Sequence, residues 1–170
     1  MRRIVRTALA AAAAAAMFTP ALATGAGQVA ASPAVASEGP SINPMTQYLR
    51  RCDFTKMPYV GPRGVGRVTS VLRTEGGEVV ADVAANTLVP NVGYEVKLIQ
   101  LPQSSASPCN PGDPGVAGVT LFTDGVGTGA VTLRAPVTAG ATGAWMSVTR
   151  PSPHSQIPAE FYTTDFVLPL

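Results

Sequence analysis

Apolar and polar residues alternate through several short stretches of this 170-residue chain. A strand turns successive side chains to opposite faces, so alternation predicts an extended element with one buried and one wet face. Over 78–85, Val79, Ala81 and Val83 fall on one face, and Val80 and Asp82 on the other. Over 94–101, Tyr94, Val96 and Leu98 share a face, with Glu95 and Lys97 opposite. Ala144, Met146 and Val148 lie together, which puts Trp145 with Ser147 and Thr149. Over 160–168, Tyr162, Phe166 and Leu168 line one face. Residues 64–73, 119–123 and 129–134 complete about seven strands, the last with Val131 and Leu133 inward. Gly76-Gly77 supplies the positive φ values of a tight hairpin turn, and Asp124-Gly125 is expected to close a second hairpin. Residues 103–118, rich in Ser, Pro and Gly, read as a loop. No stretch beyond the first residues keeps a helical period. The expected fold class is all-β, a sandwich or barrel.

The chain opens differently. Arg2, Arg3 and Arg6 precede an apolar run over 8–18, Pro20 ends it, and Ala21-Leu22-Ala23 follows. A positive end, an apolar middle and a small-x-small exit are the three parts of a secretory signal. A membrane anchor would need ~20 strongly apolar residues, and this stretch is largely alanine. Cleavage is expected after Ala23, with Ala34-Val35-Ala36 as a second site. General or twin-arginine export both remain open. Residues 24–46 hold Ala, Ser, Gly and Pro with one charge, Glu38. They cannot bury enough surface to offset their ordering entropy and read as a flexible tether. The expected organisation is a signal peptide over 1–23, a tether over 24–46 and a β-sandwich domain over 47–170.

Past Ala23 the chain carries nine Lys+Arg against ten Asp+Glu. Nucleic-acid binding demands a strong basic footprint, which this balance lacks. The charge is uneven, however. Arg50, Arg51, Lys56, Arg63, Arg67 and Arg73 face only Asp53 within 47–73, whereas three cations meet eight acids over 74–170. Either the basic segment faces an anionic envelope polymer, or it lies against the acidic remainder of its own domain. Export places Cys52 and Cys109 in an oxidising compartment, where two cysteines are expected to pair. That bond would close a loop of about 58 residues, worth ~4 kcal/mol of chain entropy.

Little in the sequence points to catalysis. His154, the single histidine, sits among Pro151, Ser152, Pro153 and Ser155. It is either a general base beside a serine or a solvated turn residue, and the turn composition favours the second. No Gly-x-Ser-x-Gly elbow occurs. The acids are not clustered, so no metal site and no cofactor are expected. Residues 123–129 are glycine-rich but lack the lysine of a phosphate loop. Trp145 is the most suggestive side chain. On a polar face its broad ring would stack on a sugar or another flat ligand. A covering loop that buries it is the alternative.

Leu88-Val-Pro-Asn-Val-Gly-Tyr94 resembles the Leu-x-Pro-x-x-x-Tyr element of fibronectin type III and related immunoglobulin-like domains. The resemblance implies that Leu88 fills the core, Pro90 bends the entry, and Tyr94 is a corner tyrosine bonded to nearby backbone. The segment running on through Cys109-Asn110-Pro111 to Thr132 is also similar to secreted chromoproteins of the neocarzinostatin type. Those have two short-range disulfides, whereas this chain has two cysteines far apart. About 45 residues are covered. The implied fold is an immunoglobulin-like β-sandwich. The expected function is that of a secreted, non-enzymatic binding or structural module of the bacterial envelope or its surroundings. The expected contacts are Trp145, Arg63, Arg67 and the Cys109 loop, and the expected partner is an envelope polymer. A carrier of a small apolar ligand is the second expectation, and a secreted hydrolase the third.

Overall fold

A computed structural model describes residues 41–170. The expected signal peptide and most of the expected tether lie outside the described residues. Nine strands follow: β1 (Ser41–Thr46), β2 (Arg67–Glu75), β3 (Glu78–Asn86), β4 (Gly93–Leu101), β5 (Val116–Phe122), β6 (Gly129–Pro136), β7 (Gly143–Ser152), β8 (Ser155–Thr164) and β9 (Leu168–Pro169). No helix occurs among the described residues. All pairings are antiparallel.

The strands form two packed sheets, a β-sandwich. Sheet one has the order β1-β2-β3-β6, and sheet two the order β5-β4-β7-β8-β1, with β9 beside β7. β1 belongs to both. Ser41–Pro44 pairs with β2, and Met45 and Thr46 pair with β8. The handover follows Pro44, whose missing N–H cannot extend a ladder. The tether expected to reach residue 46 thus ends in a strand. An edge strand can be held by backbone pairing alone, so composition gave no sign of it.

The core lies between the sheets and follows the alternation. Val79, Ala81 and Val83 face Tyr94, Val96 and Leu98 and Ala144, Met146 and Val148, all buried. Val80, on the opposite face of β3, is buried too. Its register partners are Arg73 and Arg134, long side chains whose stems cover apolar surface. The Gly76-Gly77 hairpin joins β2 to β3, with both glycines at positive φ.

Two expectations are corrected. β5 and β6 are not a hairpin. β5 pairs with β4 and β6 with β3, so the turn between them crosses from one sheet to the other. Asp124 shapes it by accepting the N–H groups of Val126 and Thr128, at 2.9 and 2.8 Å. The turn then docks on the 88–92 corner. Leu88 N donates to Gly127 O at 3.0 Å, and Thr123 Oγ1 donates to Val89 O at 2.7 Å. Phe166 is the second correction. The chain breaks pairing between β8 and β9, and Phe166 turns out to 55% exposure while Tyr162 and Leu168 stay buried.

Gly127 marks the tightest point of the crossover. Its φ is +80°, and an added Cβ would strike the Leu88 backbone. A Gly127→Ala variant should lose about 3 kcal/mol of unfolding free energy in urea titration. Gly125, with open space around it, should accept alanine within about 0.5 kcal/mol. Equal losses for the two would refute the docked crossover.

Candidate functional site

The outer face of sheet two carries the site. β4 and β7 run side by side there, and three cross-strand pairs share the face: Glu95 with Thr149, Lys97 with Ser147, and Ile99 with Trp145. Such directly opposed side chains are neighbours. They floor a cleft of about 390 Å³. One wall is the 49–52 segment with the 105–109 loop, and the other is the β7–β8 hairpin.

The first wall is fixed by the Cys52–Cys109 disulfide, whose Cα atoms stand 5.8 Å apart. It holds the Cys52 segment across β7. Trp145 is therefore 2% exposed, with Nε1 donating to Cys52 O at 3.3 Å and Phe54 edge-on at 5.6 Å. Of the two readings of Trp145, the covering loop is the one found, since the Cys52 segment buries the ring. Ile99, Cys52, Cys109, Val116 and Trp145 make a second apolar cluster outside the main core.

Arg50 is built into the same wall. Its side chain is 4% exposed, and it donates to Thr163 Oγ1, Phe54 O and Asp165 Oδ1 at 3.2, 3.1 and 3.1 Å. Burial draws its pKa down and Asp165 opposes the shift. A guanidinium stays charged under either pull. On the floor, Lys97 Nζ stands 3.2 Å from Glu95 Oε2 and donates to Cys109 O at 3.3 Å. The hydroxyls of Ser147 and Thr149 make no hydrogen bond among the described residues, and Arg51 makes no ion pair there.

The other named residues fall around this cleft. Arg63 is exposed, and its Nη1 approaches Pro158 O, on the hairpin wall, at 3.5 Å. Arg67 is exposed at the start of β2 and does not line the cleft. His154 is exposed. It touches Ser152 only through its backbone N–H, at 3.3 Å from Oγ. Among the described residues no group of three His, Cys, Asp or Glu is placed to hold a metal ion. No helix among them is long and apolar enough to cross a membrane. Sequence reasoning missed Glu95, Lys97, Ser147 and Thr149 as site residues. Their signal was the polar half of two alternating strands, which solvated faces also show.

The corner residues occupy one end of the sandwich. Leu88 is buried in the core and Pro90 is exposed on the bend. Tyr94, fully buried, accepts Val89 N–H at 3.1 Å and donates to Glu160 Oε2 at 2.7 Å. Arg150 Nη2 donates to Glu160 Oε1 at 3.2 Å. Burial, and then the hydrogen bond to Glu160, pushes Tyr94 up to about 12.

Comparison with known proteins finds no matching family model, no matching curated protein and no matching solved structure.

The Tyr94 shift has a consequence for stability. A group whose folded pKa is raised contributes fully below its unfolded value and loses that contribution as pH climbs through the folded one. Urea midpoints should therefore fall between pH 10 and about 12. Tyr162, also raised by burial, adds in the same direction. The fall should be shallower in Tyr94→Phe. Identical slopes would rule out the buried phenol as a contributor.

Proposed function

We propose that this domain is a secreted, non-enzymatic module that binds an anionic polymer of the cell envelope. One observation carries the reading. Between 41 and 170 there are nine lysines and arginines. Arg50, Arg73, Lys97, Arg134 and Arg150 each pair with a carboxylate. The four without an ion pair among the described residues are Arg51, Lys56, Arg63 and Arg67, and all fall within 51–67. Of the six cations over 50–73, Arg50 and Arg73 pair with the acidic remainder of the domain, and these four do not. Unpaired exposed cations on one segment raise the local concentration of a polyanion. The signal sequence and the disulfide both suit an oxidising, extracellular setting. An apolar carrier is less well served, because the cleft presents Glu95, Lys97, Arg50 and Arg51.

We also read the domain as an immunoglobulin-type sandwich with rotated chain order. The support is adjacency. In that fold strand E lies between B and D, and F between C and G. Here β3 lies between β2 and β6, and β4 between β5 and β7. Reading β2 to β8 as D, E, F, G, B, C and C′ reproduces these neighbours, with no counterpart of A. Tyr94 then stands near the start of F and bonds to backbone upstream, as a corner tyrosine does. Trp145 departs from the pattern: it lies on the outer face of the C equivalent, against a disulfide that does not bridge the sheets.

Binding to immobilised polygalacturonate and poly(glycerol phosphate) tests the function. Affinity should fall about tenfold between 50 and 200 mM NaCl. Replacing Arg51, Lys56, Arg63 and Arg67 together by Gln should weaken it at least about tenfold. Arg134→Gln, at a paired cation, should change it by less than about twofold. Salt-independent binding, or full binding by the fourfold variant, would overturn the reading.

A further inference from the structure

We propose that the cleft over β4 and β7 binds an acidic sugar residue, with the ring on the Lys97–Thr149 floor and its anionic group at Arg51. The proposal rests on the polymer reading, since the sugar would be one unit of that polymer.

The floor carries the argument. Lys97 and Glu95 set a pure donor and a pure acceptor 3.2 Å apart. Adjacent hydroxyls of a sugar ring each donate and accept, so one can receive from the ammonium while its neighbour gives to the carboxylate. Ser147 and Thr149 stand directly opposite, and their hydroxyls have no partner among the described residues. They also donate and accept, which suits a ligand that presents hydroxyls in either sense. Ser152, Ser155 and Gln156 extend this lining along the hairpin wall. The volume of about 390 Å³ lies at the lower end of ligand clefts, which run to ~300–1,000 Å³.

Two other occupants fit less well. An extended peptide is usually captured on a free strand edge, through backbone hydrogen bonds. β4 lies between β5 and β7, and β7 between β4 and β8, so the floor offers no such edge. An apolar ligand would strip water from Lys97, Glu95 and two hydroxyls without replacing their hydrogen bonds. The charge balance selects the sugar class. Lys97 and Glu95 cancel, and Arg50 is matched by Asp165. Arg51, on the wall, has no ion pair among the described residues and only the more distant charge of Asp53 outside the cleft. One carboxylate or phosphate on the sugar balances it, with a charge-assisted bond that a guanidinium forms bidentately.

Trisaccharides of galacturonate, glucuronate and mannuronate, each beside its neutral counterpart, make the test by calorimetry and backbone amide NMR. At least one acidic trisaccharide should bind about tenfold more tightly than its neutral counterpart. Its shift changes should centre on Lys97, Ser147 and Thr149. Thr149→Val should weaken it about fivefold, and Arg51→Gln should erase the preference for the acid. Arg67→Gln should leave trisaccharide binding unchanged while weakening the polymer. If no acidic trisaccharide outbinds its neutral form, or Thr149→Val binds as well as the parent, the sugar site is refuted. Salt-sensitive polymer binding that persists in that case would leave the broader reading standing. Trisaccharide binding without polymer binding would retire the polymer and keep the cleft.

Discussion

The Cys52–Cys109 bond decides where the long connection between β1 and β2 lies. That connection spans twenty residues and forms no strand, though the Arg50–Lys56 bridge and turn hydrogen bonds such as Met57 N to Leu49 O, at 2.8 Å, shape its first half. Hydrogen bonds from Thr163 Oγ1 to Tyr48 O and from Gly66 N to Tyr162 Oη hold its two ends, and the disulfide ties it between them. The bond draws it across β7, and three things follow from that one tie. Trp145 gains a roof, with Phe54 beside it and Cys52 O to accept its N–H. A second apolar cluster forms on what would otherwise be a wet sheet face. The 49–52 segment becomes a wall, and the open strand surface beyond Trp145 becomes a cleft.

The distribution of charge follows the same division. On the outer face of sheet one the charges satisfy one another. Asp82 receives hydrogen bonds from Thr132 and Arg73, which hold its carboxyl below the usual range, and Arg134 reaches Glu75 and Glu78. Each of these charges has an opposite partner within 4 Å. The tied segment is different, because most of its cations meet no carboxylate within 4 Å among the described residues. Only Arg50, pressed into the wall, finds a carboxylate in Asp165. The remainder face solvent, and the domain has a polarity that its near-zero net charge conceals.

Alternation made the inner faces legible. For β3, β4 and β7 a period of two predicted which residues reach the core, and Gly76-Gly77 predicted the turn. The misses share a cause: local pattern does not say what lies across a face. Asp124-Gly125 reads as a hairpin turn, yet Leu88 and Val89 dock onto it and send the chain to the other sheet. Trp145 left exposure and burial both open, because its roof comes from residues 93 positions away. Phe166 follows a strand break that the apolar sequence over 160–168 does not announce. The Leu88–Tyr94 spacing did carry tertiary information, for it placed a buried tyrosine whose hydroxyl holds its own corner.

The floor of the cleft and the core of the sandwich are the two sides of the same strands. Along β4, Glu95 and Lys97 point outward between Tyr94, Val96 and Leu98, which are buried. Along β7, Ser147 and Thr149 alternate with Met146 and Val148. The inward residues lock the backbone, so the outward ones are held at fixed spacing without ordering on arrival of a ligand. Pre-organisation of this kind lowers the entropy cost of binding. Under the proposed reading it also separates the two roles by parity: a change at an outward position would alter recognition, whereas a change at an inward one opens a cavity between the sheets. A strand slipped by one residue would exchange the two sets entirely. In the observed register the buried Tyr94 at the β4 corner accepts from Val89 N–H and donates to Glu160 on β8, bonds that a slip would break. The corner and the cleft thus share β4, one on each side of the sheet.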